Sequence, residues 1–345
     1  MSLKTRLIDF TYAIISIEIK IMKAIKITKQ EEGQTIYKFV KKHLNGAPLS
    51  FVEKLFRLKD VKVNKKRVDK SFVISNEDIV EIYLTDQQYE EFTSTKEEVK
   101  LTQMPNIVYE DENVLIVNKP SGLLVHGDKN EKRITLTNMV LSYLNVKGEY
   151  SFNSNMFTPS LAHRIDRNTS GLVVFGKNIK ALQALENIFK DHLLINKYYY
   201  ALVKGHPQKE GTIDKALFKD EEKSIVKVMD ISKGGKRAIT KYKVKETFSY
   251  CSLMDVCLLT GRTHQIRVHF ASINHPLLGD SKYGDFSLNK QFLKEFNYQN
   301  QFLHAYKLEF KQIDGFLSYL SNKMFVSALG DKEKSILSKL RNGDR

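Results

Sequence analysis

Cysteine is scarce in this chain: Cys251 and Cys257 are the only two in 345 residues. Two thiols six apart exclude a disulfide scaffold and are too few for a cysteine-based zinc site. They read as reduced core residues of a cytosolic protein. Long apolar runs are missing as well. The most apolar stretch, residues 10–17, is short and is flanked by Asp9, Glu18 and Lys20, well below the ~20 residues a membrane span needs. The same charges, with no small-residue cleavage site after them, argue against a signal peptide. No Gly-rich phosphate loop, His-Glu-x-x-His or Cys-x-x-Cys pattern occurs. Nine histidines are scattered along the chain, and His264 and His269, five apart, would point in different directions on a helix. Neither a metal nor a cofactor is expected.

What the chain does have is positive charge, 55 Lys+Arg against 40 Asp+Glu, a formal +15. An excess of that size speaks about partners more than about fold, and phosphate backbones are the first of them. Its length suggests about two domains. A charged fraction of 28% with 42% hydrophobic residues is ordinary for a globular protein and excludes wholesale disorder. The charge is unevenly placed. Residues 54–70 hold eight basic side chains and two acidic ones, net +6, whereas residues 77–98 hold eight acidic ones against Lys96, net −7. That reversal marks a boundary between a small basic module and an acidic, solvated linker.

Within the module, Ile36, Phe39, Val40 and Leu44 fall at helical spacing. A second helix is expected from Ser50 as N-cap, with Glu53 completing a capping box and Phe51, Leu55 and Leu58 as its buried stripe. Val61-Lys62-Val63-Asn64 and residues 78–82 alternate like strands. The residues Leu49-Ser50, Arg57 and Val61-Lys62-Val63-Asn64-Lys65-Lys66-Arg67-Val68 resemble the alpha-L RNA-binding module first seen in a ribosomal small-subunit protein. That family usually has glycine where Lys59 and Lys65 stand here. The resemblance implies RNA contact by Arg57, Lys62, Asn64, Lys65, Lys66 and Arg67.

Beyond Pro105 the pattern is one α+β domain with a mixed, largely antiparallel sheet. Residues 114–117 and 172–175 read as short buried strands, the first ended by a Pro-Gly turn at Asn118-Lys119-Pro120-Ser121-Gly122. Residues 180–193 read as an amphipathic helix, 198–203 as a strand, and 241–246 with 252–259 as a strand pair. Asp166 stands among His163, Arg164 and Arg167 on a loop before the 172–175 strand. Nearby positive charge favours its ionised form, and loops held by rigid strands are common catalytic positions. An isolated Asp-x-x-Thr-Ser-Gly more often pins a turn, and no second carboxylate is evident for glycosidase chemistry. Two further clusters shift the balance. Lys197-Tyr198-Tyr199-Tyr200 puts Tyr199 on one face of a strand and its neighbours on the other. Thr260-Gly261-Arg262-Thr263-His264-Gln265-Ile266-Arg267 places arginines and a histidine at a strand-to-helix turn, with Ile266, Phe270 and Ile273 as the core stripe and Arg267 off it.

Together these residues resemble the RluA-type pseudouridine synthases. Tyr109-Glu110-Asp111-Glu112 with Asn118-Lys119-Pro120-Ser121-Gly122-Leu123-Leu124-Val125-His126 matches the first motif, and His163-Arg164-Ile165-Asp166-Arg167-Asn168-Thr169-Ser170-Gly171 the catalytic one. The stretch from Thr260 to Arg267 matches the third. His275-Pro276-Leu277-Leu278-Gly279-Asp280, Lys282-Tyr283-Gly284 and Leu303-His304-Ala305 continue the match, and after Phe310 the family's proline-bearing tail is replaced by Ile313-Asp314-Gly315-Phe316. The resemblance implies a pseudouridine synthase fold, a mixed and largely antiparallel sheet with flanking helices and a central cleft. It implies residues 1–25 as an N-terminal extension, 26–86 as the alpha-L domain, 87–105 as linker and 106–345 as catalytic domain. It further implies Asp166 as nucleophile or base, Arg164 as the residue filling the stack or steadying the RNA, and Tyr199 against the uracil face. Arg267 is the implied ion-pair partner of Asp166, with Arg262 as the substitute, and His163, Arg262 and His264 are implied RNA contacts. The closest subgroup is RluC-like, with RluD-like next, so the expected partner is 23S rRNA, with tRNA as the alternative. No cofactor, no membrane association, a monomer and a cytoplasmic location are expected. A non-catalytic RNA-binding or ribosome-associated protein and a hydrolase of RNA or nucleotides using Asp166 are the competing readings.

Overall fold

The computed structural model describes residues 20–93, 103–127, 134–152 and 157–343. The apolar stretch 10–17 and the linker's central residues 94–102 lie outside them. The chain divides into two compact units at residues 95/96. Among the described residues no helix is long and apolar enough to cross a membrane.

The first unit comprises β1 (Ile21–Lys26), α1 (Ile36–His43), α2 (Leu49–Arg57), β2 (Val61–Val63), β3 (Lys66–Arg67), β4 (Ile79–Leu84) and α3 (Asp86–Phe92). Its four strands are ordered β1-β4-β2-β3. Ile36, Phe39, Val40 and Leu44 bury their helical stripe against Val61, Val63, Val80 and Ile82 of the sheet. Three expectations are corrected. First, α2 begins two residues early, with Pro48 rather than Ser50 at its N-cap and no side-chain cap. Ser50 lies inside its first turn, and Glu53 is occupied by Lys70. The buried stripe uses Val52 and Leu55, with Phe51 half-buried against Phe92 and Leu58 exposed. Proline pre-sets the first backbone angle without needing a side-chain cap.

Second, the segment read as an extension contributes β1, which pairs with β4 from Ile21 to Lys26. Third, the segment read as linker opens with α3, capped by a Thr85–Gln88 box. Its acidic side chains face outward while Phe92 is buried in the unit's core. Asn64 and Lys65 link β2 to β3 with φ of 49° and 65°, and Lys59 takes φ 61°. Two consecutive positive φ values are those of the tight hairpin turn that favours Asn-Gly. The two lysines therefore stand in left-handed positions, where glycine carries no steric cost.

The second unit contains β5 (Ile107–Glu110), β6 (Val114–Lys119), α4 (Leu136–Val146), β7 (Ser160–Leu161), β8 (Ser170–Gly176), α5 (Ile179–Lys190), β9 (Ile195–Lys204) and β10 (Glu210–Asp214). It continues through β11 (Leu217–Asp220), β12 (Ile225–Val228), β13 (Ile239–Thr247), β14 (Cys251–Leu258), α6 (Gln265–Ala271) and α7 (Phe286–Phe296). It closes with β15 (Leu303–Phe310), β16 (Met324–Val326) and α8 (Asp331–Gly343). The main sheet runs β10-β13-β14-β9-β15-β8-β6-β5, with β16 added on β15 and β7 on β8. All neighbours are antiparallel except β15 and β8. The chain thus has the mixed, mostly antiparallel α+β architecture expected of it.

Strands β6 and β8 read as unbroken apolar runs because both faces are covered. Leu115, Val117, Val173 and Phe175 pack with α4 and α6 residues such as Val140, Leu144, Ile266 and Phe270. Val114, Ile116, Leu172 and Val174 pack with Ala181, Leu185 and Ile188 of α5. The tail that departs from the family pattern is not loose: Ile313, Leu317 and Leu320 are buried in the α5 cluster.

Candidate active site

Asp166 lies on the loop joining β7 to β8. A turn closes behind it, the Thr169 N–H donating to the Asp166 carbonyl at 3.1 Å. That loop is stitched to the turn after β6. Lys119 Nζ donates to the carbonyls of Pro120, Leu123 and Arg167 at 2.9, 2.8 and 2.7 Å. Gly122 N–H donates to the same Arg167 carbonyl, Arg167 Nε returns a bond to the Gly122 carbonyl, and Ser121 Oγ donates to that of Asn168. Lys119 is fully buried. Burial pushes its ammonium down to about 7, against the pull of Asp166, and three carbonyls replace the water it has lost.

Immediately after the loop, Gly171 has φ +113°, and a Cβ there would sit 2.2 Å from the Ala305 carbonyl oxygen. Only glycine lets β8 enter the sheet this close to β15. The entry strand is in turn pinned by Ser170 Oγ, 2.9 Å from Nδ1 of the buried His304.

Arg267, on α6, joins two carboxylates. Its Nη1 donates to Asp166 Oδ2 at 3.0 Å, and its Nε and Nη2 donate to Asp280 Oδ2 and Oδ1 at 2.7 and 2.9 Å. Asp280 is wholly buried. Burial alone would raise its pKa, but Arg267 and the backbone N–H groups of Lys282 and Tyr283 hold it below the usual carboxylate range. The two-oxygen grip fixes the plane of the guanidinium and aims the remaining nitrogen at Asp166. Arg267 leaves the apolar stripe of α6 but not the interior, being 7% exposed.

Tyr199 projects from β9 on the face that carries α4 and α6 and is 8% exposed. Burial, with the Asp166 charge nearby, pushes its phenol well above the ordinary tyrosine range, so it stays protonated. Its neighbours Tyr198 and Tyr200 face the other side, bonded to Glu309 and Lys245. His264 begins α6 with a left-handed backbone (φ 53°, ψ 20°). Its Nε2 lies 3.8 Å from Asp166 Oδ2, and its Nδ1 lies 2.8 Å from the Tyr283 hydroxyl.

Four of the residues singled out from sequence therefore converge: Asp166, Tyr199, Arg267 and His264. Arg164 is exposed, two positions from Asp166 along the chain. Arg262 does not substitute for Arg267, because its Nε donates to the Arg237 carbonyl. His163 does not face a ligand. Its Nε2 accepts the Val174 N–H at 3.2 Å and its ring stacks on Phe189 at 4.1 Å, and burial pushes its pKa down to about 3.

In the first unit, Arg57, Lys65, Lys66 and Arg67 are exposed and Lys62 is half-buried against the Tyr83 ring. Asn64 is spent on the turn, bonding Asp78 and the Ile79 N–H. Three site-building residues carry no role in the sequence reading: Lys119, Asp280 and Tyr283. The available signal for Asp280 is a carboxylate closing the apolar run Pro276-Leu277-Leu278-Gly279, a place where a buried charge needs a cation.

Comparison with known proteins places most of the chain. Residues 113–272 match the family model described as RNA pseudouridylate synthase. An uncharacterized RNA pseudouridine synthase of Mycoplasma capricolum is 35% identical over 316 residues, covering 87% of this chain and 95% of the relative. The ribosomal large subunit pseudouridine synthase C of Vibrio cholerae is 34% identical over 291 residues, 83% of this chain and 88% of that one. The solved structure of human RNA pseudouridylate synthase domain containing 4 shares the fold, with a TM-score of 0.55 at 23% identity over 68% of this chain and 93% of its own. Relatives at this identity over most of the chain define an enzyme class. The chain belongs to the RNA pseudouridine synthase family.

Proposed function

We propose that the protein isomerises uridines in large-subunit (23S) ribosomal RNA, with Asp166 as the acting group. The observation that carries the proposal is the Asp166–Arg267–Asp280 array: a loop carboxylate on a rigid strand, paired with an arginine that a second, buried carboxylate holds in place. The choice of RNA is supported by relatives named for the large ribosomal subunit and by the exposed basic residues of the first unit, which reads as an alpha-L RNA-binding domain.

The reaction breaks the bond between N1 of uracil and C1′ of ribose, turns the base and joins C5 to C1′. C5 gives up its proton and N1 gains one, so nothing is oxidised and no water is consumed. The target base must first leave its stack, at a cost of a few kcal/mol. Arg164, exposed on the same loop, occupies the space left or steadies the backbone around it. Asp166 Oδ2 is held by Arg267, and among the described residues no hydrogen bond reaches Oδ1. That oxygen is the one available to the nucleotide, as nucleophile at C1′ or as base. Tyr199 lies against the uracil and, being protonated, offers a proton donor rather than an anion.

The test incubates wild-type and Asp166→Asn protein with 23S rRNA carrying tritium at uracil C5. Tritium release and mapped pseudouridine in wild type, with none in the variant at undiminished RNA binding, are expected. Turnover by Asp166→Asn rejects the catalytic assignment. Release from tRNA but not from 23S rRNA rejects the substrate assignment.

A further inference from the structure

We propose that His264 is a positioning residue for Asp166, its imidazole presenting an Nε2–H to the oxygen that Arg267 also holds. The proposal rests on Asp166 being the acting carboxylate, and it reassigns a residue that the sequence alone places among the RNA contacts.

The geometry begins away from the site. The Val226 N–H, on β12, donates to the Tyr283 hydroxyl at 2.9 Å. A phenol oxygen that already accepts has its own proton to give, and His264 Nδ1 stands 2.8 Å away. The arrangement that uses every donor is therefore Val226 N–H to Tyr283 Oη, Tyr283 O–H to His264 Nδ1, and the imidazole proton on Nε2. Nε2 is the nitrogen that faces Asp166 Oδ2, at 3.8 Å. That contact is longer than a hydrogen bond, and the proposal requires the Asp166 carboxylate to turn toward the ring to make one.

Two further observations point the same way. His264 adopts a left-handed backbone that a non-glycine residue enters only at a steric cost, and such strain gathers at functional positions. The imidazole is also mostly enclosed, with 17% of its side chain exposed. Burial lowers its pKa, Arg267 and Lys282 push the same way, and Asp166 and Asp280 only partly oppose them. A neutral ring can donate a hydrogen bond without adding charge to an array that Arg267 and its two carboxylates already define. With both donors addressed to Oδ2, the carboxylate is fixed in rotation and Oδ1 is presented to the nucleotide. The hairpin formed by β11 and β12 thereby becomes part of the support. Its Val226 is packed with Val268 of α6 and with Tyr283.

The experiment measures single-turnover rate at saturating enzyme, RNA affinity and its salt dependence for His264→Ala, His264→Gln and Tyr283→Phe, each checked by thermal melting. His264→Ala is expected to slow the single-turnover rate about 10- to 100-fold, with affinity within about twofold and an unchanged salt slope. His264→Gln, whose amide N–H stands near the Nε2 position, is expected to recover about tenfold of that loss. Tyr283→Phe, which leaves the α6 backbone alone, is expected to fall between wild type and His264→Ala. A wild-type rate with weakened, less salt-sensitive binding in His264→Ala makes the residue an RNA contact and overturns the proposal. A Gln variant no faster than the Ala variant, at equal melting temperature, also overturns it, because the ring then matters only as packing. Asp166→Asn run alongside separates the two readings. Turnover there removes the catalytic assignment itself, whereas a wild-type rate in His264→Ala beside an inactive Asp166→Asn removes only the role given to His264.

Discussion

Replacing Asp280 with asparagine changes one atom in a wholly buried side chain and removes one charge from the array. Oδ1 of Asp280 accepts three bonds, from Arg267 Nη2 and from the N–H groups of Lys282 and Tyr283, and Oδ2 accepts one from Arg267 Nε. The best an asparagine can do is keep its oxygen at the Oδ1 position. Its NH2 then faces Arg267 Nε–H, donor against donor. One charge-assisted bond is lost, and the guanidinium keeps only Asp166 as a charged partner. Removing one member of a buried pair costs about 3–5 kcal/mol. With three of the four bonds kept, the lower end, about 3 kcal/mol, is the expected loss. At about 2–4 °C per kcal/mol for a unit of this size, the melting temperature should fall by about 6–12 °C.

Turnover should fall by more than the melting curve implies, because Arg267 Nη1 is aimed at Asp166 only while Asp280 grips its other nitrogens. A weakening of that hydrogen bond by ~1.4–3 kcal/mol is about 10- to 150-fold in rate. Differential scanning calorimetry reads the first effect, and tritium release from C5-labelled RNA at 25 °C, where the variant is still folded, reads the second. The pH dependence adds an internal check. Asp280 has a depressed pKa when folded, so its contribution is present above the ordinary aspartate range and is lost as pH falls through the lower folded value. The gap between wild type and variant should be full at pH 7 and should narrow below about pH 4. An Asp280→Asn protein that melts within about 1 °C of wild type and turns over at the wild-type rate refutes the reasoning.

Neutralising Lys62, Lys65, Lys66 and Arg67 together should weaken RNA binding. It should also flatten the dependence of log affinity on log salt by about 0.7–0.9 for each phosphate that is no longer neutralised, and an unchanged slope shows that these residues do not touch the backbone. His163 makes a second pH prediction. Its ring stays neutral in the folded protein down to about pH 3, whereas an unfolded histidine takes up its proton near pH 6.5. Between those values the unfolded state binds more protons, so stability falls on acidification, by up to about 1.4 kcal/mol per pH unit from this group. His163→Gln, which can still accept the Val174 N–H, should show a shallower fall in urea titrations between pH 6.5 and 5; an identical slope counts against the buried neutral ring.

Much of the catalytic unit is legible in the sequence because its signals are local. Residues 114–117 and 172–175 are apolar runs of strand length, the 241–246 and 252–259 segments read as a strand pair, and Asp166, Tyr199 and Arg267 sit in compact motifs. What escapes depends on contacts distant in the chain. Helix α3 reads as linker because Glu90 and Glu91 dominate its composition, while Phe92, with Tyr89 against His43, seats it. Strand β1 alternates only weakly and is defined by its pairing with β4. The grip of Asp280 on Arg267 spans a turn, and periodicity says nothing about a carboxylate after Gly279. His163 misleads because it shares a motif with Asp166, although its ring points into the packing beneath the loop.

The order of strands in the main sheet has a consequence for when activity can arise. β15, next to last of the strands in the chain, lies between β9 and β8. On one edge Ala305 stands opposite Tyr199, and on the other it stands opposite Gly171. A ribosome that has not yet released residues 303–310 holds two half-sheets. One bears Tyr199, and the other is entered from the Asp166 loop. Joining them closes a long stretch of chain, which is entropically slow. The enzyme is thus timed as well as built: the strand that bears Tyr199 and the strand that follows Asp166 join one sheet only after residues 303–310 have been made.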